Sequence, residues 1–102
     1  MSLHTVANTK DLLPGSALAV EVAGRSIGLF NVDGAIYAID NICTHDSAPL
    51  SEGAVVDGCV VCPWHGAQFD LATGQVMTPP AVEDVRSYQV VVSGDDVCLE
   101  ID

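Results

Sequence analysis

Positive charge is nearly missing from this 102-residue sequence: Lys10, Arg25 and Arg86 stand against fourteen acidic residues, for a formal net charge of −11. Phosphate backbones and anionic lipid surfaces repel such a molecule, which argues against a nucleic-acid or membrane-surface partner. Long apolar runs are missing too, and none approaches the roughly 18 residues needed to span a bilayer. Met1 to Lys10 lack the basic start and apolar stretch of a secretory signal, so the expected location is cytoplasmic. Helix periodicity is nearly absent. What is present is enough apolar material, 49 % of the chain, to fill the core of one domain, and such a composition argues against disorder. The acidity suits a carrier that must find basic patches on larger partners quickly and leave again.

Alternation with a period of two marks the strands. Leu18, Val20 and Val22 alternate with Ala17, Ala19, Glu21 and Ala23, and Val97, Leu99 and Ile101 alternate with Cys98, Glu100 and Asp102. Tyr88, Val90 and Val92 give a third strand. Ser26 to Val32 and Ala35 to Asp40 flank Asp33–Gly34, a strong hairpin signal. Ala23–Gly24–Arg25 and Ser93–Gly94–Asp95–Asp96 read as further tight turns. Short strands with Gly/Asp turns at this spacing predict an all-β sandwich or barrel. Between Asn41 and about Pro80 the apolar runs shorten and prolines and glycines gather, the pattern of a functional insert on a β framework.

That insert contains Cys43–Thr44–His45 and Cys62–Pro63–Trp64–His65. Together they read C-x-H, sixteen intervening residues, then C-x-x-H. Each segment brings one thiolate and one imidazole, the donor set in which two cysteines hold one iron and two histidines the other iron of a [2Fe–2S] centre. Each segment must sit on a tight loop, and Pro63 stiffens the second. The alternative is a structural zinc, in an interaction domain. Zinc fingers, however, pair Cys with Cys and His with His at wider spacing on the His side, whereas both pairs here are mixed.

On these two boxes, with Gly66 closing the second, the chain resembles the Rieske family. Ala48–Pro49–Leu50 with Glu52–Gly53, Ala67–Gln68–Phe69–Asp70 with Gly74, Pro79–Pro80, and Lys10 to Gly15 resemble the family's flanking segments. The resemblance implies a Rieske-type antiparallel β-sandwich forming a single domain over residues 1–102. Base strands would fall at about 1–40 and 81–102, with a cluster-binding subdomain at about 41–80. It implies one [2Fe–2S] cluster on Cys43, His45, Cys62 and His65. It also implies a ferredoxin's role, passing electrons from a flavoprotein ferredoxin reductase to the terminal oxygenase of an aromatic-hydroxylating system. The rival within the family is the small subunit of an assimilatory nitrite reductase, a reading that normally tolerates loss of ligands, whereas all four stand here.

Respiratory-type members carry a disulfide at positions that here are Ala48 and Trp64, and hydroxyl donors to the cluster where Ala67 and Phe69 stand. Without those donors, and with Asp46 beside a ligand, the expected potential is near the low end of the Rieske range, roughly −150 mV rather than +300 mV, with little pH dependence near neutrality. The chain is not itself an oxygenase: a facial-triad iron needs two further histidines, and only His4 remains. Cys59 reads as a small core residue and Cys98 as partly exposed on the polar face of its strand. Trp64 reads first as packing that shields the cluster loop, with an anchoring role at a partner as the alternative. Docking is expected around Cys43 to Leu50, Trp64 to Gly66 and Pro79–Pro80.

Overall fold

Three two-residue turns set the pairing of the strands. Ala23 and Gly24, Asp33 and Gly34, and Asp57 and Gly58 all have positive φ at both central residues, as type I′ hairpins require. A computed structural model describes residues 2–43, 49–64, 66–78 and 83–101. Among these the chain is all-β, with short 3-10 turns at Thr9–Asp11 and Leu50–Glu52 and no α-helix. Among the described residues no helix is long and apolar enough to cross a membrane.

The strands form three antiparallel sheets. The middle one runs β2 (Ala17–Val22), β3 (Arg25–Val32), β4 (Ala35–Asp40) and β9 (Ser87–Tyr88). On one side lies a sheet of β1 (Ser2–Asn8), β11 (Asp96–Ile101) and β10 (Val90–Ser93). The remaining sheet is built from four short strands, β5 (Val55–Val56), β6 (Cys59–Val61), β7 (Gln68–Asp70) and β8 (Val76–Thr78).

The centre of the middle sheet is buried on both faces, and β3 shows it best. Ile27 and Leu29 enter a core with Leu12, Ala38, Tyr88, Val97, Leu99 and Ile101. Phe30, one residue out of phase, enters a second core with Ile39, Leu50, Val60, Phe69, Leu71 and both Cys43 and Cys62. Each fully buried side chain of this kind stabilises by about 1.5–3 kcal/mol relative to exposure. The strands expected from alternation are present: Leu18, Val20 and Val22 turn inward while Ala17, Ala19 and Glu21 are exposed. The expected third strand divides at Gln89, so that Ser87–Tyr88 pairs with β4 and Val90–Ser93 with β11.

Cys98 departs from the expectation of partial exposure. It is buried, because Thr5 of β1 and Val91 of β10 stand opposite it on either side, with Thr5 Oγ1 3.4 Å from its Sγ. The small sheet depends on close backbone approaches. A Cβ on Gly53 would collide with the carbonyl oxygen of Val61, and one on Gly74 with that of Val85. Gly74 also has φ +78°, which a side chain would strain.

Candidate metal centre

The first expected ligand loop is closed at its foot by the residues just before and after it. Ile42 and Pro49 form an isolated antiparallel bridge. The N–H of Leu50 donates to the carbonyl of Asn41 at 2.6 Å, and the N–H of Ser51 donates to Asn41 Oδ1 at 2.8 Å. Asn41 in turn donates its N–H to Ser26 O on β3 at 3.0 Å, which ties the loop to the middle sheet. Cys43 sits directly above this foot and is 1 % exposed.

The second loop links β6 to β7. The N–H of Cys62 donates to Ala67 O at 2.7 Å, and that of Gly66 to Cys62 O at 3.1 Å, with Gly66 at φ +79°. This tight return leaves Cys62 2 % exposed in the core and puts Trp64 outside, 60 % exposed. Trp64 therefore does not shield the loop by packing, because the turn that buries Cys62 points the next residues outward. Leu50, included in the expected docking segment, is wholly buried: the 3-10 turn that follows the first loop folds it into the second core. Among the described residues, the large exposed apolar side chains beside the loops are Ile42, Trp64 and Met77.

Of the four expected ligands, the structure brings Cys43 and Cys62 into one apolar core from separate loops, and neither is in a disulfide. His45 and His65 lie outside the described residues, as do Thr44, Asp46, Ala48 and Pro79–Pro80. Among the described residues no group of three or more His, Cys, Asp or Glu is gathered, as follows when half of the expected donor set lies beyond them. Two buried sulfur donors delivered from two closed loops fit an iron–sulfur cluster, whose thiolate ligands are kept from water while the apolar shell tunes the potential. Ala67 and Phe69 are both wholly buried in this core and bring no hydroxyl to it. Cys59 is only half-buried rather than a core residue, because it lies on the outer face of β6. Burial first, and then the carboxylates of Asp70 and Asp57, push its thiol up, away from reactivity.

Sequence reasoning missed Asn41. It directly follows β4 and carries no motif. The one available signal is a buried-type position occupied by an amide, directly before a loop that must be closed.

Comparison with known proteins agrees with this geometry. The family model described as "Rieske [2Fe-2S] domain" matches residues 2–89. The chain is 36 % identical over 91 residues, 89 % of its length and 88 % of the relative's, to the ferredoxin component of the naphthalene 1,2-dioxygenase system of Pseudomonas putida. It is similar in structure to the ferredoxin of carbazole 1,9a-dioxygenase from Nocardioides aromaticivorans IC177, with TM-score 0.91 and 33 % identity over 97 % of both chains. It also superposes on a chain from a complex of reduced oxygenase and oxidized ferredoxin in carbazole 1,9a-dioxygenase. That match has TM-score 0.87 and 28 % identity over 95 % of this chain and 91 % of the other. With two buried cysteines on paired loops, an all-β frame of three sheets and a match over most of its length, the chain belongs to the Rieske [2Fe–2S] domain family.

Proposed function

We propose that this chain is the ferredoxin of a multicomponent aromatic-ring oxygenase system, taking single electrons from a flavin-dependent reductase and handing them to the terminal oxygenase in the cytoplasm. One observation carries the reading: Cys43 and Cys62 meet in one buried core from separately closed loops. Residues of about 41–80 form the cluster-bearing insert, in which Cys43 and Cys62 would hold one iron and His45 and His65 the other. When bound, the cluster supplies a reversible one-electron site.

The chain's own residues do the rest. Leu50, Val60, Phe69 and Leu71 exclude water from the two sulfurs. Ile42, Trp64 and Met77 offer apolar contact beside the loops, where an aromatic anchor favours docking. With three histidines in all, the chain has too few to build a facial-triad iron site as well, so it carries electrons and leaves oxygen chemistry to its partner. The acidic surface speeds encounter with basic faces and makes transfer sensitive to salt.

The test is reconstitution followed by substitution. Protein refolded anaerobically with iron and sulfide should turn red-brown and give an EPR signal on reduction, whereas zinc would leave it colourless and silent. In a naphthalene dioxygenase assay lacking its own ferredoxin, the loaded chain should restore turnover. A colourless product would defeat the ligand assignment; a coloured one that neither accepts electrons from the reductase nor reduces the oxygenase would defeat the system assigned to it.

A further inference from the structure

Two buried polar residues stand out among the described residues, Asn31 and Asn41, and they do different work at opposite ends of β3 and β4. Asn31 donates from Nδ2 to Leu12 O at 2.8 Å and accepts from Gly34 N–H on Oδ1 at 2.8 Å, so it pins the β3–β4 turn to the N-terminal segment. Asn41 pins a ligand loop. Its backbone oxygen takes the Leu50 N–H at 2.6 Å, its Oδ1 takes the Ser51 N–H at 2.8 Å, and its Nδ2 lies 3.5 Å from Ser26 Oγ. The strand beneath makes room for this turned-in amide: a Cβ on Gly28 would fall 3.2 Å from Asn41 Oδ1.

We infer that Asn41 is a positioning residue for the electron-transfer site: its side-chain oxygen holds the two ends of the Cys43 loop together and so fixes where Cys43 stands. This rests on the assignment of Cys43 and His45 as ligands. Nine residues, 42 to 50, separate Asn41 from Ser51, and a buried amide acceptor that joins these two ends offsets part of the entropy cost of bringing them together. The backbone bonds alone leave the Ser51 N–H without a partner at the mouth of the loop. Removing the acceptor therefore costs more than one neutral hydrogen bond, because a part-buried donor is stranded. A loop that flexes at its foot also has more ways to rearrange when the charge of the cluster changes. Asn41 thus acts on the ease of electron transfer through Cys43, without touching the cluster itself.

Asn31 supplies a matched control, being a second buried amide of similar exposure with no part in the ligand loops. Asn41→Leu, Asn41→Asp and Asn31→Leu are compared after cluster loading. Asn41→Leu should broaden or shift the EPR spectrum of the reduced protein and speed loss of iron to a chelator by about tenfold, the equivalent of one stranded donor. Asn41→Asp keeps an oxygen for the Ser51 N–H, and Ser26 can donate its hydroxyl to the other. It should keep the wild-type line shape and chelation rate while lowering the midpoint potential, through the added negative charge. Asn31→Leu should lower thermal stability and change neither spectrum nor chelation rate. The inference fails if Asn41→Leu, like Asn31→Leu, leaves both the spectrum and the chelation rate unchanged, or if Asn41→Asp behaves like Asn41→Leu. Should Asn41→Leu not fold, amide exchange in the native protein decides: the Ser51 N–H must be protected, and rapid exchange there overturns the inference. Failure of the ligand assignment would look different, because the wild-type protein itself would then give no spectrum.

Discussion

The hydroxyl of Tyr88 donates to the carboxylate of Asp40 at 2.6 Å, joining the last residue of β4 to β9. Asp40 also accepts the Arg86 N–H at 3.2 Å and returns its own N–H to Arg86 O at 2.9 Å. The guanidinium carbons of Arg25 and Arg86 lie 6.0 and 5.4 Å from the centre of the Tyr88 ring. Two of the chain's three basic residues are thus spent where the chain leaves the middle sheet for the ligand loops and where it comes back.

That arrangement predicts an alkaline weakness. Burial first, and then the hydrogen bond to Asp40, push the Tyr88 pKa up, against an opposing pull from Arg25. A raised pKa means that the protonated phenol stabilises the fold below the ordinary tyrosine value of about 10 and that this contribution is lost as pH climbs through the higher folded value. Tyr88→Phe should cost about 1 kcal/mol at pH 7, from the lost hydrogen bond. It should also flatten the fall in stability at high pH. Urea titrations at pH 7 and above pH 10 measure both, and equal alkaline losses in the two proteins would refute the account.

Trp64 is exposed where partners are expected to dock, so Trp64→Ala should leave stability within about 0.5 kcal/mol and leave the EPR spectrum intact. Transfer to the oxygenase should slow, by tenfold or more if the indole is a central anchor worth about 2 kcal/mol. Leu50→Asp makes the contrast. It buries a charge in the second core and should lose the cluster altogether. Stopped-flow reduction of the oxygenase reads the first and visible absorption the second. Unchanged transfer by Trp64→Ala would remove the indole from the docking face.

Gly53 is held against the Val61 carbonyl with an ordinary negative φ, so the difficulty of replacing it is one of space and not of backbone strain. Gly53→Ala should push β5 away from β6 and destabilise the protein by about 1–3 kcal/mol, the usual range for overpacking. Gly58→Ala has open space around it but a positive φ of 78°, and should cost only the smaller conformational term, about 1 kcal/mol. Thermal melts of the two variants rank them. The reverse order would show that the contact at Val61 relaxes freely.

The wholly buried Ala67 and Phe69 put no hydroxyl beside Cys62. A midpoint near −150 mV is therefore the expectation, at the lower end of the range for Rieske centres. Ala67→Ser, by aiming a donor at the cluster, should raise it by about 20–60 mV, the one-electron equivalent of a hydrogen bond worth 0.5–1.5 kcal/mol. A redox titration decides, and a strongly positive wild-type midpoint would show that other donors replace the missing hydroxyls.

β2 was legible because it has one wet face, Leu18, Val20 and Val22 alternating with exposed neighbours, and β11 because Val97, Leu99 and Ile101 face one core while Asp96 and Glu100 on its other face are polar. β3 was legible only through its Asp33–Gly34 turn, since burial on both sides erases the alternation from Ile27 to Asn31. The small sheet was legible in part, because strands of two or three residues carry no period to read. At the candidate site, the cysteine and histidine spacing pointed to the chemistry, and the structure places both cysteines together. The exposure of Trp64, the burial of Leu50 and Cys98 and the role of Asn41 were not legible, because each depends on a neighbour distant in sequence or on the path of a turn.

The strand β3 sends Leu29 into one interior and Phe30 into the other. Because both interiors share this strand, they are expected to melt together. Loss of visible colour on heating should then coincide with loss of the far-ultraviolet β signal in a single transition, so that bleaching of this protein reports its global unfolding.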